Sequence, residues 1–329
     1  MSDALARAAE VLSTADHVAL ACHLNPDADA LGSMLGLSVY LRSRGAATVC
    51  SFGNEPLELP QWVKLLPGSA ALVEAKDFPK EPDLMVTCDT ASLDRLGVLA
   101  RSATHAKELI WLDHHVSNEG LGEISIVDPK ASSTSEIVYR LIQAMGGGMT
   151  AEIAVCLYAG LVTDTGRFQY EVVGPETLRL GAELRSFPFD HARVVQALYE
   201  NNRAAYLKLL GIALQRLVLE PDADLVWTHV SQADFAEAGV EPSETDDLID
   251  VLRTAREADV AALLKQQRDG RLKISMRSRG NHDLAKVASG FGGGGHRLAA
   301  GYTSKHGVEE TVERLKAALR GEPGEPVEP

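Results

Sequence analysis

The chain has no run of about 18 consecutive apolar residues, the length needed to cross a membrane as a helix. Its first 16 residues have helical amphipathic spacing but no apolar core behind a basic start, so nothing in them argues for export. A soluble, cytoplasmic protein with no membrane partner is expected. Cysteine is also scarce. Cys22, Cys50, Cys88 and Cys156 stand far apart with no CxxC pair, which argues against disulfides and zinc and makes them small buried hydrophobes. Positive charge is short too, with 32 Lys and Arg against 46 Asp and Glu and a formal net charge of −14. Long nucleic acid is bound chiefly by neutralising its phosphates with Lys and Arg. The deficit therefore opposes long nucleic acid as a partner and leaves a small anion held locally by a metal or an arginine.

What is present is a recurring pattern. At 329 residues with 45% hydrophobic content the chain can form two cored domains. Residues 18–22 (Val-Ala-Leu-Ala-Cys), 84–88 (Leu-Met-Val-Thr-Cys) and 109–112 (Leu-Ile-Trp-Leu) are short apolar runs of the kind that form buried strands, and each ends on ionisable residues. The first run leads into His23-Leu-Asn-Pro-Asp27-Ala-Asp29-Ala-Leu-Gly-Ser, the second into Asp89, and the third into Asp113-His114-His115. Pro26 stops the first strand, and Leu31, Met34, Leu35 and Leu41 then follow helical spacing. Strands separated by helical stretches predict a parallel sheet, which gathers strand carboxyl ends along one edge. His23, Asp27, Asp29, Asp89, His114 and His115 should converge there.

Ser133 to Glu136 has capping-box spacing ahead of a helix over 137–145, and its exposed hydroxyls could alternatively meet a phosphate. A further helix over 151–161 delivers Asp164, within Thr163-Asp164-Thr165-Gly166-Arg167-Phe168, to a loop. Carboxylates this dense repel one another unless a cation lies among them. Carboxylates and imidazoles suit Mn²⁺ or Mg²⁺, and two ions about 3.5 to 4 Å apart are a known device for hydrolysing phosphoesters. A single-metal site or a metal-free salt-bridged cluster remain the alternatives.

The second half changes character. A helical stretch over 190–219 reads as a connector, and strands over 224–230, 260–266 and 272–276, the last two flanking Arg268-Asp-Gly-Arg271 as a hairpin, announce a second α/β domain. Arg277 and Arg279 close the last of these strands. After a short helix over 283–291 comes Gly292-Gly293-Gly294-Gly295-His296-Arg297, where backbone N–H groups could approach an anion closely and His and Arg add charge. A helix over 308–320 precedes a Gly-, Pro- and Glu-rich tail too polar to pack. The expected division is 1–188 for the first α/β domain, mostly parallel with flanking helices, 189–219 for the connector, 220–320 for the smaller α/β domain and 321–329 for a disordered tail.

The segments around His23, Asp89, Asp113-His114-His115 and Asp164-Thr-Gly-Arg-Phe, four motifs in order, resemble those of the DHH phosphoesterases, and the Arg277-Ser278 and Gly-Gly-Gly-Gly-His segments resemble their DHH-associated C-terminal domain. Ala28 stands where many relatives have Gly. The resemblance implies two Mn²⁺ ions, with Mg²⁺ as the alternative: His23, Asp27 and Asp89 on one, Asp29, Asp89, His114 and Asp164 on the other. It implies catalytic roles for His115, facing the substrate phosphate, for Asp113 behind it and for the bridging Asp89. Arg277, Arg279, Gly293, Gly294, Gly295 and His296, with Ser133, would bind substrate. The two-domain arrangement is most similar to the oligoribonuclease/pAp phosphatases of the NrnA type. That implies hydrolysis of short RNA oligonucleotides to 5'-mononucleotides and of 3'-phosphoadenosine 5'-phosphate (pAp) to AMP, and perhaps of linear pApA. A RecJ-like single-strand exonuclease, a cyclic di-AMP phosphodiesterase and, in another class, a nonenzymatic nucleotide-binding protein are the alternative readings. The helix-rich connector allows a homodimer.

Overall fold

The computed structural model describes residues 2–118 and 120–321, so residues 322–329 of the expected tail lie outside the described residues. Two compact units divide at Asn201 and Asn202. In the first, α1 (Ser2–Thr14) leads to β1 (His17–Cys22), α2 (Ala28–Ser43), β2 (Ala47–Phe52), β3 (Leu84–Cys88), α3 (Ala100–Thr104), β4 (Glu108–Asp113), β5 (Ile124–Val127), α4 (Thr134–Ala144), α5 (Ala151–Asp164), α6 (Pro175–Arg185) and α7 (His191–Tyr199). The five strands are parallel in the order β2-β1-β3-β4-β5. Chain order reverses between β1 and β3, and α/β sheets place ligands outside the strand carboxyl ends at such a switch point. His23 leaves β1 and Asp89 leaves β3 on either side of it.

Both faces of this sheet are covered, which is why its strands read as unbroken apolar runs. Leu20, Val86, Ile110 and Leu112 face a core shared with α1, α2, α4 and α5. Ala21, Met85 and Trp111 face the opposite core with Phe78, Leu96 and Leu99. All four cysteines are free and buried, as expected, and burial pushes the Cys50 thiol up to about 12. The edge strand β5 was not anticipated, because Ile124-Ser-Ile-Val is four residues long and alternates rather than forming an apolar run.

The helices over the first face touch at backbone distance. A Cβ at Gly32 of α2 would stand 2.4 Å from the Cys156 carbonyl oxygen of α5, and one at Gly160 of α5 would stand 2.5 Å from Asp29 Oδ1. These two glycines let α5 lie directly on the acidic start of α2.

The second unit contains α8 (Ala204–Gln215), β6 (Val218–Glu220), β7 (Leu225–Val230), α9 (Gln232–Ala238), α10 (Leu248–Leu252), β8 (Val260–Gln266), β9 (Leu272–Ser278), α11 (Leu284–Ser289), β10 (Gly294–His296), β11 (Ala299–Ser304) and α12 (Val308–Leu319). Its sheet runs β10-β11-β9-β8-β7-β6, with only β7 and β8 parallel. Cores lie on both faces, one against α11 and α12 and the other against α8, α9 and α10. The stretch expected as a connector is shared out, α7 falling in the first unit and α8 in the second. No helix among the described residues is long and apolar enough to cross a membrane.

Replacing Gly32 by Ala forces a methyl into the Cys156 carbonyl, and overpacking of this kind costs about 1–3 kcal/mol. Thermal unfolding of Gly32→Ala should show a clearly lowered midpoint; an unchanged midpoint would mean that the contact between α2 and α5 is looser than described.

Candidate metal centre

The acidic residues gather at the switch point because each is carried there by the end of a buried element. Asp27 caps α2, its Oδ1 accepting the Asp29 and Ala30 N–H groups at 3.0 Å. Oδ2 is left for His23 Nε2, 3.9 Å away. Asp29 is fully buried and sits on the amino terminus of α4, accepting Thr134 N at 2.6 Å and Ser135 N at 2.9 Å. The unsatisfied N–H groups and positive dipole end of a helix suit a carboxylate there.

Asp89 is the hub. The residue turns out of β3 with φ +56, a left-handed conformation that Asp tolerates better than most side chains, and its N–H donates to the Leu112 carbonyl of β4. Oδ1 accepts the Thr134 hydroxyl at 2.9 Å and lies 3.6 Å from His114 Nε2; Oδ2 lies 3.5 Å from His23 Nε2. Asp164 reaches the cluster from the last residue of α5, not from a loop, with Oδ2 3.1 Å from His114 Nε2. The helix runs one turn beyond residue 161 because Val162, Thr163 and Asp164 carry no breaker, and the break comes at Gly166 with φ +56.

The imidazoles are oriented from behind. His23 Nδ1 lies 2.8 Å from the Leu24 carbonyl and His114 Nδ1 lies 3.4 Å from that of Ala131. Each Nδ1 therefore carries a proton, and each Nε2 is turned to the carboxylates, the orientation usual for metal-ligating histidines. His115 differs, its Nδ1 being tied to Asp113 Oδ1 at 2.7 Å. Asp113 is fully buried, and its other oxygen accepts Asn118 Nδ2 at 2.6 Å. Asn118 also donates to the Thr90 carbonyl, which accepts the indole N–H of buried Trp111 at 2.6 Å.

At this centre three sets of ligand atoms lie within 4.8 Å of one another, His23, Asp27 and Asp89; Asp29, His114 and Asp164; and Asp89, His114 and His115; a fourth set among the described residues, Asp224, Asp259 and His282, lies in the second unit. The charge states report the strain of keeping them together. Burial and the neighbouring Asp89 charge push Asp29 up to about 7, and burial with Asp29 and Asp89 drives Asp164 well above the carboxylate range. Burial would raise Asp89 as well, but the hydrogen bond and charge of His23, with those of His114 and His115, hold it below its ordinary value. Burial lowers each of the three histidines, yet the carboxylates outweigh it and all are shifted upward. Protons thus fill the place a cation would take, and the hard oxygen and imidazole donors fit divalent Mn²⁺ or Mg²⁺.

Comparison with known proteins decides the family. The DHH family N-terminal domain matches residues 17–161, and a bifunctional oligoribonuclease and PAP phosphatase NrnA of Thermus thermophilus is 31% identical over 95% of this chain and 93% of its own. The chain belongs to the DHH family. A DHHA1 domain matches residues 227–322. An exopolyphosphatase-related protein from Bacteroides fragilis is structurally similar, with a TM-score of 0.90 and 26% identity over 98% of this chain and 96% of its own. The RecJ of Thermus thermophilus solved with Mn²⁺ shares the fold, at a TM-score of 0.58 and 16% identity over 98% of this chain and 55% of its own.

Two expectations are corrected, one in each unit. Gly292 to His296 is not a loop throughout, since Gly294–His296 forms the edge strand β10 and pairs antiparallel with β11. Its glycines permit close packing: a Cβ at Gly293 would stand 2.2 Å from the Gly301 carbonyl and one at Gly295 2.5 Å from that of Ala299. Gly294 and His296 are exposed on this hairpin. Arg277 and Arg279 end β9, their guanidiniums bonded to the Met276 and Ala255 carbonyls. Ser133, in the first unit, is the second correction. Its hydroxyl is buried and caps α4 by accepting Glu136 N, while Glu136 reaches Ser132 and not Ser133, so it is not exposed to a phosphate.

Sequence reasoning missed Thr134 and Asn118, which touch the site only through other side chains. Thr134 could have been found from its place as the first helical residue after a cap, where N–H groups have no partner within the helix.

Divalent metal must displace protons from this centre, so its affinity should rise with pH. Below the Asp29 value of about 7, each displaced proton weakens binding by about tenfold per pH unit. Calorimetric titration with Mn²⁺ at pH 6 and pH 8 should show tighter binding at pH 8 with proton release at pH 6; equal affinities would exclude Asp29 from the ligand set.

Proposed function

We propose that the chain is a two-metal phosphoesterase that hydrolyses short RNA oligonucleotides to 5'-mononucleotides and pAp to AMP, with Mn²⁺ as its working metal. The observation that carries this reading is the position of Asp89, whose two oxygens face different histidines, His23 through Oδ2 and His114 through Oδ1. A carboxylate so placed is suited to lie between two cations. His23, Asp27 and Asp89 would hold one ion and Asp29, Asp89, His114 and Asp164 the other. Bound metals acidify water and neutralise charge on phosphoryl oxygens.

The remaining roles fall to the chain itself. Asp113, fixed by Asn118, keeps the His115 Nδ1 proton in place and favours the charged ring. His115 Nε2 then presents a proton to a phosphoryl oxygen or to the departing 3'-oxygen. In the second unit the exposed His296 and the Arg277 and Arg279 segment are the groups we assign to the substrate's other phosphate or base. Short, compact substrates suit a protein whose formal net charge is −14.

Asp89→Ala should abolish hydrolysis of pAp and of a 5'-labelled dinucleotide at saturating Mn²⁺, and chelator should do the same to the unaltered chain. Near-normal turnover in Asp89→Ala would remove the shared-carboxylate reading. With the unaltered chain, gel analysis of labelled RNA should show rates falling from dinucleotides to oligomers of some tens of nucleotides. Equal or rising rates on long strands would instead favour a RecJ-like exonuclease.

A further inference from the structure

Arg95 lies beside the metal centre and is used by nothing described so far. It belongs to a 3₁₀ segment, Leu93–Leu99, whose place is set by backbone contact. The Leu24 N–H donates to the Arg95 carbonyl at 2.8 Å. A Cβ at Gly53, just after β2, would stand 2.0 Å from the Leu96 carbonyl oxygen, and one at Gly97 would stand 2.6 Å from Leu24 Cδ2. Backbone contacts to Leu24 and Gly53 and the Leu24 side chain against Gly97 hold this segment on the turns that follow β1 and β2, so Arg95 is planted at the switch point.

The guanidinium stops 3.2 Å from His23 Nδ1. That nitrogen already donates to the Leu24 carbonyl at 2.8 Å, so a ring in this tautomer offers Arg95 no acceptor. Asp27 and Asp89 lie off the opposite nitrogen of the same imidazole, yet Arg95 is exposed and has no carboxylate partner among the described residues. An arginine at the rim of so acidic a cluster, with its N–H fork unspent, is held for an anion that comes from outside. A guanidinium matches two phosphoryl oxygens in one plane. It would also offset the repulsion that the carboxylates exert on an approaching phosphate.

We propose that Arg95 binds the nonbridging oxygens of the phosphoryl group being cleaved and is a further catalytic residue of this centre. The assignment rests on the phosphoesterase reading above. It differs from a supporting role for His23, because a support would act through metal affinity and a phosphate contact would not.

The full chain and its Arg95→Gln and Arg95→Lys variants are compared in three measurements: Mn²⁺ binding by calorimetry without substrate, inhibition of the Mn²⁺-loaded protein or its direct binding by inorganic phosphate and AMP, and kcat and KM for pAp. Arg95→Gln should bind Mn²⁺ within about twofold of the unaltered chain, bind phosphate about tenfold more weakly and lose about 100-fold in kcat/KM, the scale on which a charge-stabilising donor acts. Arg95→Lys should regain part of both losses. Mn²⁺ affinity falling in step with activity would overturn the proposal in favour of a prop for His23, and unchanged phosphate affinity and turnover would overturn it outright. If the unaltered chain hydrolysed neither substrate while Arg95→Gln still lost phosphate affinity, the proposed function would fail and the phosphate site would stand.

Discussion

Mutual repulsion among buried carboxylates is the constraint on which the first unit is built. Asp29 and Asp89 are brought together where water cannot screen them, with Asp164 part-exposed beside them, and the fold meets the cost with fixed partial charges. The amino terminus of α4 faces Asp29, the Thr134 hydroxyl and two imidazoles face Asp89, and His114 faces Asp164. The carboxylates and their partners are carried by α2, α4, α5 and the ends of β1, β3 and β4, so the centre exists only when these elements are all docked. The glycines at 32 and 160 follow from the same demand, since α5 must approach α2 closely enough to bring its last residue to the metals' side.

Thr134 concentrates this dependence in one residue. Its N–H serves Asp29 and its hydroxyl serves Asp89, so the first turn of α4 fixes the spacing of two carboxylates that would otherwise spread apart. The neighbouring Ser133 and Glu136 are occupied in holding that turn, one as cap and one through Ser132. A run of hydroxyl residues that suggests substrate contact is thus devoted to the geometry of the acids.

Much of this was legible in the sequence, for a physical reason. Strands buried on both faces are written as plain apolar runs, and a parallel sheet sends their ends to one edge, so His23, Asp89 and Asp113 could be placed together from 18–22, 84–88 and 109–112 alone. Contacts made through the backbone left no such mark. Nothing in the residue types says that Asp29 sits on a helix terminus 105 positions away, or that Asp164 ends a helix and does not begin a loop. The four glycines at 292–295 read as a loop because glycine signals only that backbone can come close; here Gly293 and Gly295 come close to β11, and the segment from Gly294 on is a strand. Arg95 was passed over because a single arginine in a turn carries no periodicity.

The hydrogen-bonded chain behind His115 ends on an aromatic ring. Trp111 is fully buried, and the carbonyl of Thr90 that accepts its indole N–H also accepts from Asn118, the residue that clamps Asp113. Any change in charge at His115 must pass into this chain before it reaches the core. Indole emission responds to the polarity and strength of the bond at its nitrogen, so Trp111 is an intrinsic fluorophore linked through Thr90, Asn118 and Asp113 to His115, placed to report on that ring without a label and without turnover.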